Sequence, residues 1–104
     1  MKVFKTLVFF DIADGSIHEC DTIEYEGGKW LVTSWIDNPS KRETRPLRII
    51  RVDQLGLQEF QGRFVLNYPM PKAVFDGRAP PPQGSPLVVI ESPPITRFYD
   101  DSLH

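Results

Sequence analysis

Two adjacent glycines, Gly27 and Gly28, separate two runs of alternating polar and apolar residues, and no other pattern restricts the fold as much. Side chains of a β-strand point alternately to its two faces, so alternation indicates strands with one buried face. Two glycines between such strands are typical of a two-residue hairpin loop, because they readily adopt the positive φ angles that tight loops require. The sequence therefore predicts a β-hairpin, with strands at residues 16–26 and from Lys29 onward.

The hairpin register follows from the loop. It places opposite charges and apolar side chains across from each other, an arrangement that stabilises antiparallel pairs. The predicted pairs are Glu26 with Lys29, Tyr25 with Trp30, Ile23 with Val32, and Cys20 with Trp35. Tyr25, Ile23, Trp30 and Val32 then form the core face. Leu31 and Trp35 are expected on the opposite face.

Short runs of strand-forming residues continue along the rest of the chain. Residues 2–10 are rich in β-branched and aromatic side chains, which favours a strand. Further strands are predicted at 46–52, 63–68, 72–75 and 87–91, and a short helical turn at 53–61. This pattern, with little helix, predicts an all-β fold, either a small barrel or a sandwich.

Prolines set limits on these elements. Pro46 is expected only at the start of its strand or on a sheet edge, because proline cannot donate to a sheet. Of the ten prolines, eight lie between Pro69 and Pro94, and the stretch 79–86 is expected to adopt an extended polyproline-like conformation. The 104 residues are enough for one domain. We expect a small β-barrel over 1–78, with a proline-rich segment over 79–104 packed on it; that segment contains the final strand at 87–91 and a tail.

A family resemblance covers about residues 17–55. The stretch 21–32, followed by residues 48–51, resembles the strand–hairpin–strand core of bacterial SH3-like small barrels. The resemblance implies an SH3-like barrel of five to seven short antiparallel strands and implies no catalytic residues. The tryptophan pair of peptide-binding SH3 domains has no clean counterpart, because Trp30 and Trp35 are expected on opposite faces. The resemblance therefore suggests a fold and not a ligand.

The charge is small overall, at −2, but residues 29–52 carry a net charge of +4. Four arginines, at positions 42, 45, 48 and 51, account for most of it. A basic strand beside aromatic residues is one way in which small barrels bind single-stranded nucleic acids. On an extended strand, however, Arg45 and Arg51 face away from Arg48, so they do not form one stripe. Nucleic-acid binding through residues 41–51 is therefore the alternative interpretation.

Residues suited to catalysis or metal binding are sparse. His18 and Cys20 share one face of a strand at a separation of about 6.5–7 Å, too far for direct activation of the thiol. The carboxylates show no spacing typical of a metal or acid–base site, and no phosphate-binding or nucleophile motif occurs. We expect no enzymatic activity, no catalytic residue, no metal and no cofactor.

Hydrophobicity and cysteine content bear on location. The longest apolar run, Leu7–Phe10, is far shorter than the roughly 20 residues of a membrane helix. Asp11 and Asp14 interrupt what would be the apolar part of a signal peptide. The one cysteine is typical of a reducing compartment. We expect a cytoplasmic protein.

These observations favour a protein-interaction or assembly module. Trp35 and Leu31 would form an apolar patch beside residues 79–86, unless residues 79–104 fold back and cover Trp35. In a homodimer, the apolar stretch Leu7–Phe10 could be covered by pairing across that strand with a second copy of the chain. The predicted contact residues are Leu31, Trp35, Arg42, Arg45, Arg48 and Arg51.

Overall fold

The computed structural model describes residues 2–4, 8–9, 17–92 and 97–98. The strands in this part of the chain are β1 (Lys2–Phe4), β2 (Val8–Phe9), β3 (Thr22–Tyr25), β4 (Gly28–Asn38), β5 (Glu43–Arg51), β6 (Gln58–Phe60), β7 (Arg63–Val65), β8 (Val89–Glu91) and β9 (Arg97–Phe98). One 3-10 turn spans Pro39–Lys41, and one α-helical turn, α1, spans Lys72–Phe75. The predicted mostly β class is confirmed.

The strands form two sheets. The larger has the order β1-β3-β4-β5-β8, and β9 also pairs with β5. The smaller has the order β2-β7-β6. All pairs are antiparallel except β2 with β7, which is parallel. Neither sheet closes on itself through the described strands, so the expected closed barrel is not observed.

The first hairpin has the predicted position but a different loop. Its two central residues are Glu26 and Gly27, with φ angles of 50° and 77°. Tyr25 pairs with Gly28, and Ile23 pairs with Trp30 rather than with Val32. The predicted register was therefore wrong, because the loop lies one residue earlier in the chain than expected. Because a loop shift of this kind moves each partner by two residues, the faces of both strands are unchanged.

Gly28 lies in β4 rather than in the loop, and the Arg51 side chain packs over it. A Cβ atom at Gly28 would lie 2.8 Å from Nε of Arg51, so a larger residue there would require this flexible side chain to move. The loop residues are Glu26 and Gly27, whose positive φ angles are those of a type I′ loop.

Replacing Glu26 with Asn is expected to raise the free energy of unfolding by about 0.5–1 kcal/mol, because Asn tolerates positive φ better than Glu. Chemical denaturation of the wild type and the variant measures the difference. Glu26→Gln is the matched control, since it removes the charge but keeps the backbone cost, and it should change stability little. Equal stabilisation by both variants would show that charge, not backbone conformation, limits this turn.

A second hairpin joins β6 to β7. Its loop residues, Gln61 and Gly62, have φ angles of 53° and 77°, the same pattern as the first hairpin. Phe60 pairs with Arg63 across this loop. The helical turn predicted over 53–61 is therefore wrong. Gly56 has a φ of 80°, which no right-handed helix contains.

One other element also differs from expectation. Residues 72–75 form α1 rather than a strand; it follows the extended Pro71, whose carbonyl accepts hydrogen bonds from Val74 and Phe75. Pro46 lies inside β5 rather than at its start, but its position is a local edge, the other place where it was expected. Trp35 of β4 lies opposite it, and no described strand pairs with it on the other side. No helix among the described residues has the length and apolar character needed to cross a membrane.

Two apolar clusters lie on the two faces of the larger sheet. The first, which we call the main core, contains Leu31, Ile50, Val52, Leu55, Leu66, Met70, Val74 and Leu87. The second contains Ile23, Trp30, Val32 and Ile49, with Tyr25, Trp35 and Ile90 packed against it. Adjacent residues such as Leu31 and Val32 belong to different clusters, as strand alternation requires. The sheet face that was predicted to be the core thus carries the smaller of the two clusters.

Candidate functional site

Leu31, one of the predicted contact residues, has no exposed surface and lies in the main core opposite Ile50. The expectation of a surface contact at Leu31 is therefore wrong. It failed because the sequence analysis assigned a core to only one face of β4. Both faces of this strand are covered.

Trp35 is half-buried and packs against the second cluster, the one that contains Trp30 and Val32. Its indole Nε1 donates a hydrogen bond to Oδ2 of Asp21 at 2.8 Å. Regular alternation would place Trp35 on the face of Leu31, but the register of β4 with β5 shifts on either side of Ser34. Such irregularities change the face of the residues that follow. Leu31 and Trp35 therefore do not form a common patch.

Arg51 is held within the protein. Its Nε lies 2.9 Å from Oδ1 of Asp53, and its guanidinium carbon lies 5.8 Å from the centre of the Trp30 ring. The hydrogen bond from Arg51, with its positive charge, lowers the pKa of Asp53. The carboxylate and the indole ring thus position Arg51 over the second cluster.

Arg48 lies on the other face of β5. Its Nη2 donates a hydrogen bond of 2.6 Å to the carbonyl of Phe75, the last residue of α1. Its buried Nε has no hydrogen-bond partner in the part of the chain that the structure describes. A Cβ atom at Gly77 would overlap the guanidinium, so Arg48 fits against the backbone that follows α1. We call this arrangement the Arg48 clamp.

Arg42 and Arg45 complete the predicted set. Arg42 follows the 3-10 turn and has a φ of 53°. Arg45 lies on β5, opposite Ile36 of β4. Both are exposed. Arg48 and Arg51 are half-buried and lie on opposite faces of β5, so the four arginines do not form one surface.

Cys20 and His18 do not form a reactive pair. The ring of His18 packs at 5.4 Å from that of Phe75. Burial, followed by the charges of Asp21 and Glu19, raises the pKa of Cys20 to about 12. The described residues include no group of three or more His, Cys, Asp or Glu side chains that could hold a metal.

Cys20 is expected to resist thiol reagents in the folded protein. A pKa raised from 9.0 to about 12 reduces the thiolate fraction at pH 8 about 1,000-fold, and the thiolate is the reacting form. Because folding favours the protonated thiol, this contribution to stability is complete below pH 9 and is lost as the pH rises towards 12. The rate at which the Cys20 thiol reacts with a chromogenic disulfide reagent is measured by absorbance, once in buffer and once in denaturant. Similar rates in both would contradict a buried, protonated thiol.

An open groove of about 360 Å³ lies beside β8. One side is formed by β8 itself and the other by the chain that follows α1. Its lining residues are Arg48, Val74, Gly77, Arg78, Ala79, Pro80, Pro81, Val89, Ile90 and Glu91. The Arg48 clamp connects the two sides, because Arg48 extends from β5 to the end of α1. We call this feature the β8 groove.

The outer edge of β8 is unpaired within the described chain. The amides of Arg51 and Ser92 donate to the carbonyls of Val88 and Leu47, at 2.9 and 3.1 Å. Hydrogen-bonding groups alternate in direction along an antiparallel strand. The N–H and C=O groups of Val89 and Glu91 therefore point away from β5, and no described residue accepts from or donates to them.

A second groove, of about 340 Å³, lies near the first hairpin. Its lining includes Glu24, Glu59, Asp53 and Lys29. Asp53 is ion-paired with Arg51, and Nζ of Lys29 lies 5.6 Å from the centre of the Phe64 ring. Asp53 and Lys29 thus interact with the protein itself, and the other two charged lining residues, Glu24 and Glu59, are both acidic.

Sequence reasoning did not find the β8 groove, although it predicted β8 as the final strand and Asp76-Gly77 as a turn. Arg48 and Phe75 are 27 residues apart, and no local pattern indicates that they are in contact. The sequence does not indicate that the backbone groups of Val89 and Glu91 face away from β5, because their direction depends on the register of β8 with β5. Comparison with protein families, with curated proteins and with solved structures finds no match to this chain.

Proposed function

We propose that this protein is an interaction module that binds an extended peptide segment as an additional strand beside β8. The observation that supports the proposal is the outward direction of the backbone groups of Val89 and Glu91 at an open groove. Strand addition uses such free edge groups for affinity and the adjacent pockets for specificity. The β8 groove offers both features at one place.

The shape of the groove supports the same interpretation. Most exposed sheet edges are protected by charges, by proline or by a covering segment, because a free edge pairs with other chains. Here Pro80 and Pro81 line the opposite side of the groove rather than pairing with β8. Proline has no N–H to donate to a strand. An incoming peptide would therefore pair with β8 on one side and pack against proline rings on the other.

Three parts of this proposal come from the sequence. They are the SH3-like arrangement, the absence of enzymatic activity and the cytoplasmic location. Arg42 and Arg45 are the exposed residues on which the nucleic-acid alternative would depend. Self-association, with a second copy of β8 as the added strand, is the competing interpretation.

Selection from a display library of random peptides tests the proposal, with the wild type and Val89→Pro as targets. Because the N–H of Val89 points away from β5, proline there removes a donor for the incoming strand and leaves the β5 pairing intact. Selected peptides should bind the wild type and lose about tenfold or more of their affinity for the variant. Val88→Thr is the matched control on the same segment and should bind nearly as well as the wild type.

Amide exchange gives a second measurement. The amides of Val89 and Glu91 should exchange rapidly in the free protein and slowly with a selected peptide bound, whereas that of Ser92 should be protected in both states. If no peptide is enriched, or if Val89→Pro binds equally well, the proposal fails. Sedimentation showing a dimer that Val89→Pro dissociates would identify a second copy as the occupant and would also overturn it.

A further inference from the structure

We infer that the segment bound in the β8 groove carries an acidic side chain whose carboxylate pairs with Arg48. This inference rests on the proposed function and specifies its ligand. Arginine has five N–H donors in a planar fork that matches a carboxylate. Among the described residues, Arg48 makes one hydrogen bond through Nη2, to Phe75, while its buried Nε has no partner.

Arg48 also lacks a carboxylate within the described part of the chain. Glu91 is its cross-strand neighbour, but the two form no ion pair. Asp76, the nearest acidic residue after α1, pairs instead with Lys72 and Arg78, at 3.7 and 3.3 Å. A half-buried guanidinium without a counter-charge is costly and binds an anion readily.

The charges of the groove favour a carboxylate. Its lining contains two cations, Arg48 and Arg78, and one anion, Glu91. Arg78 is already paired with Asp76, so the charge available to a ligand is that of Arg48. The remaining carboxylate of Glu91 would repel a doubly charged phosphate more strongly than a singly charged carboxylate. An aspartate or glutamate of the peptide is therefore the best match.

The register predicts where the acidic residue lies in the peptide. Arg48 is paired with Glu91, and Ile50 with Val89, so these four side chains share the main-core face of the sheet. Side chains of an added strand alternate in the same way. The acidic residue should therefore be followed or preceded, two positions away, by an apolar residue that contacts Val74 and Val89.

The test changes the peptide and leaves the protein intact, because Arg48 also holds α1. A selected peptide and its Glu→Gln or Asp→Asn variant are compared by titration calorimetry at low and high salt. The amide variant should bind about tenfold more weakly and with less salt dependence. Shifting the acidic residue by one position, to the other face, should cause a similar loss. Arg45→Gln in the protein should change affinity little, since Arg45 is exposed and does not line the groove.

Each negative outcome has a distinct meaning. Peptides that bind in a Val89-dependent manner but tolerate the amide would overturn the carboxylate inference and leave the proposed function standing. Enrichment of peptides without acidic residues would do the same. Failure to select any peptide would overturn both.

Discussion

Replacing Leu31 with Ala should lower the free energy of unfolding by about 2–5 kcal/mol, the range for a leucine truncated in a packed core. Leu31 has 0% exposure, and it lies in the main core with Ile50 and Val52. The truncation removes buried apolar surface and leaves a cavity in the main core. Urea denaturation followed by tryptophan fluorescence measures the loss.

Leu47→Ala is the matched control for Leu31→Ala. Leu47 lies on the adjacent strand, and 42% of its surface is exposed, so its truncation should cost less than about 1 kcal/mol. A residue that served only as a surface contact would behave like Leu47. Equal and small losses for both leucines would therefore contradict the burial of Leu31.

Replacing Gly77 with Ala should lower the free energy of unfolding by about 2–4 kcal/mol, combining the backbone cost of positive φ with loss of a charged hydrogen bond. The φ angle of Gly77 is 80°, and its added Cβ would overlap the guanidinium of Arg48. Moving Arg48 would leave the carbonyl of Phe75 without its donor. Thermal and chemical denaturation measure the effect.

Gly84→Ala separates the two causes. Gly84 has a φ of 83°, but nothing lies within 4 Å of its added Cβ, so only the backbone cost of about 1–2 kcal/mol should remain. In an Arg48→Met background, the cost of Gly77→Ala should fall to that of Gly84→Ala. A double-mutant cycle that shows no coupling between positions 48 and 77 would contradict the Arg48 clamp.

The Arg48 clamp connects folding to the proposed site. Arg48 extends from β5 to the end of α1, and the chain from Gly77 to Pro81 then forms the side of the groove opposite β8. Loosening the clamp should therefore alter the width of the groove as well as the stability of the fold. Gly77→Ala should weaken peptide binding, and Gly84→Ala should not.

Local patterns in the sequence were sufficient for several elements. Gly27 and Gly28 located the first hairpin, and the alternation of residues 23–32 assigned each side chain to the correct face. The alternation of β5 likewise placed Arg48 and Arg51 on opposite faces. These predictions succeeded because strand periodicity and turn conformation depend on neighbouring residues.

Other features depended on contacts between residues far apart in the chain. The loop lies at Glu26 and Gly27 rather than at the two glycines, and Trp35 changed faces because the register of β4 with β5 is irregular. Residues 72–75 formed a helical turn despite a strand-like composition. A sequence read locally contains none of this information, because propensities of short segments are weaker than the tertiary contacts that override them.

Local patterns predict a mostly β chain, its first hairpin and the positions of most strands. Three features follow instead from the three-dimensional arrangement: both faces of β4 are buried, Arg48 contacts the end of α1, and the edge of β8 faces an open groove. The difference lies in the range of the interactions. Alternation and turn conformation act over a few residues, whereas burial, charge pairing and the free edge of a sheet depend on which distant strands become neighbours.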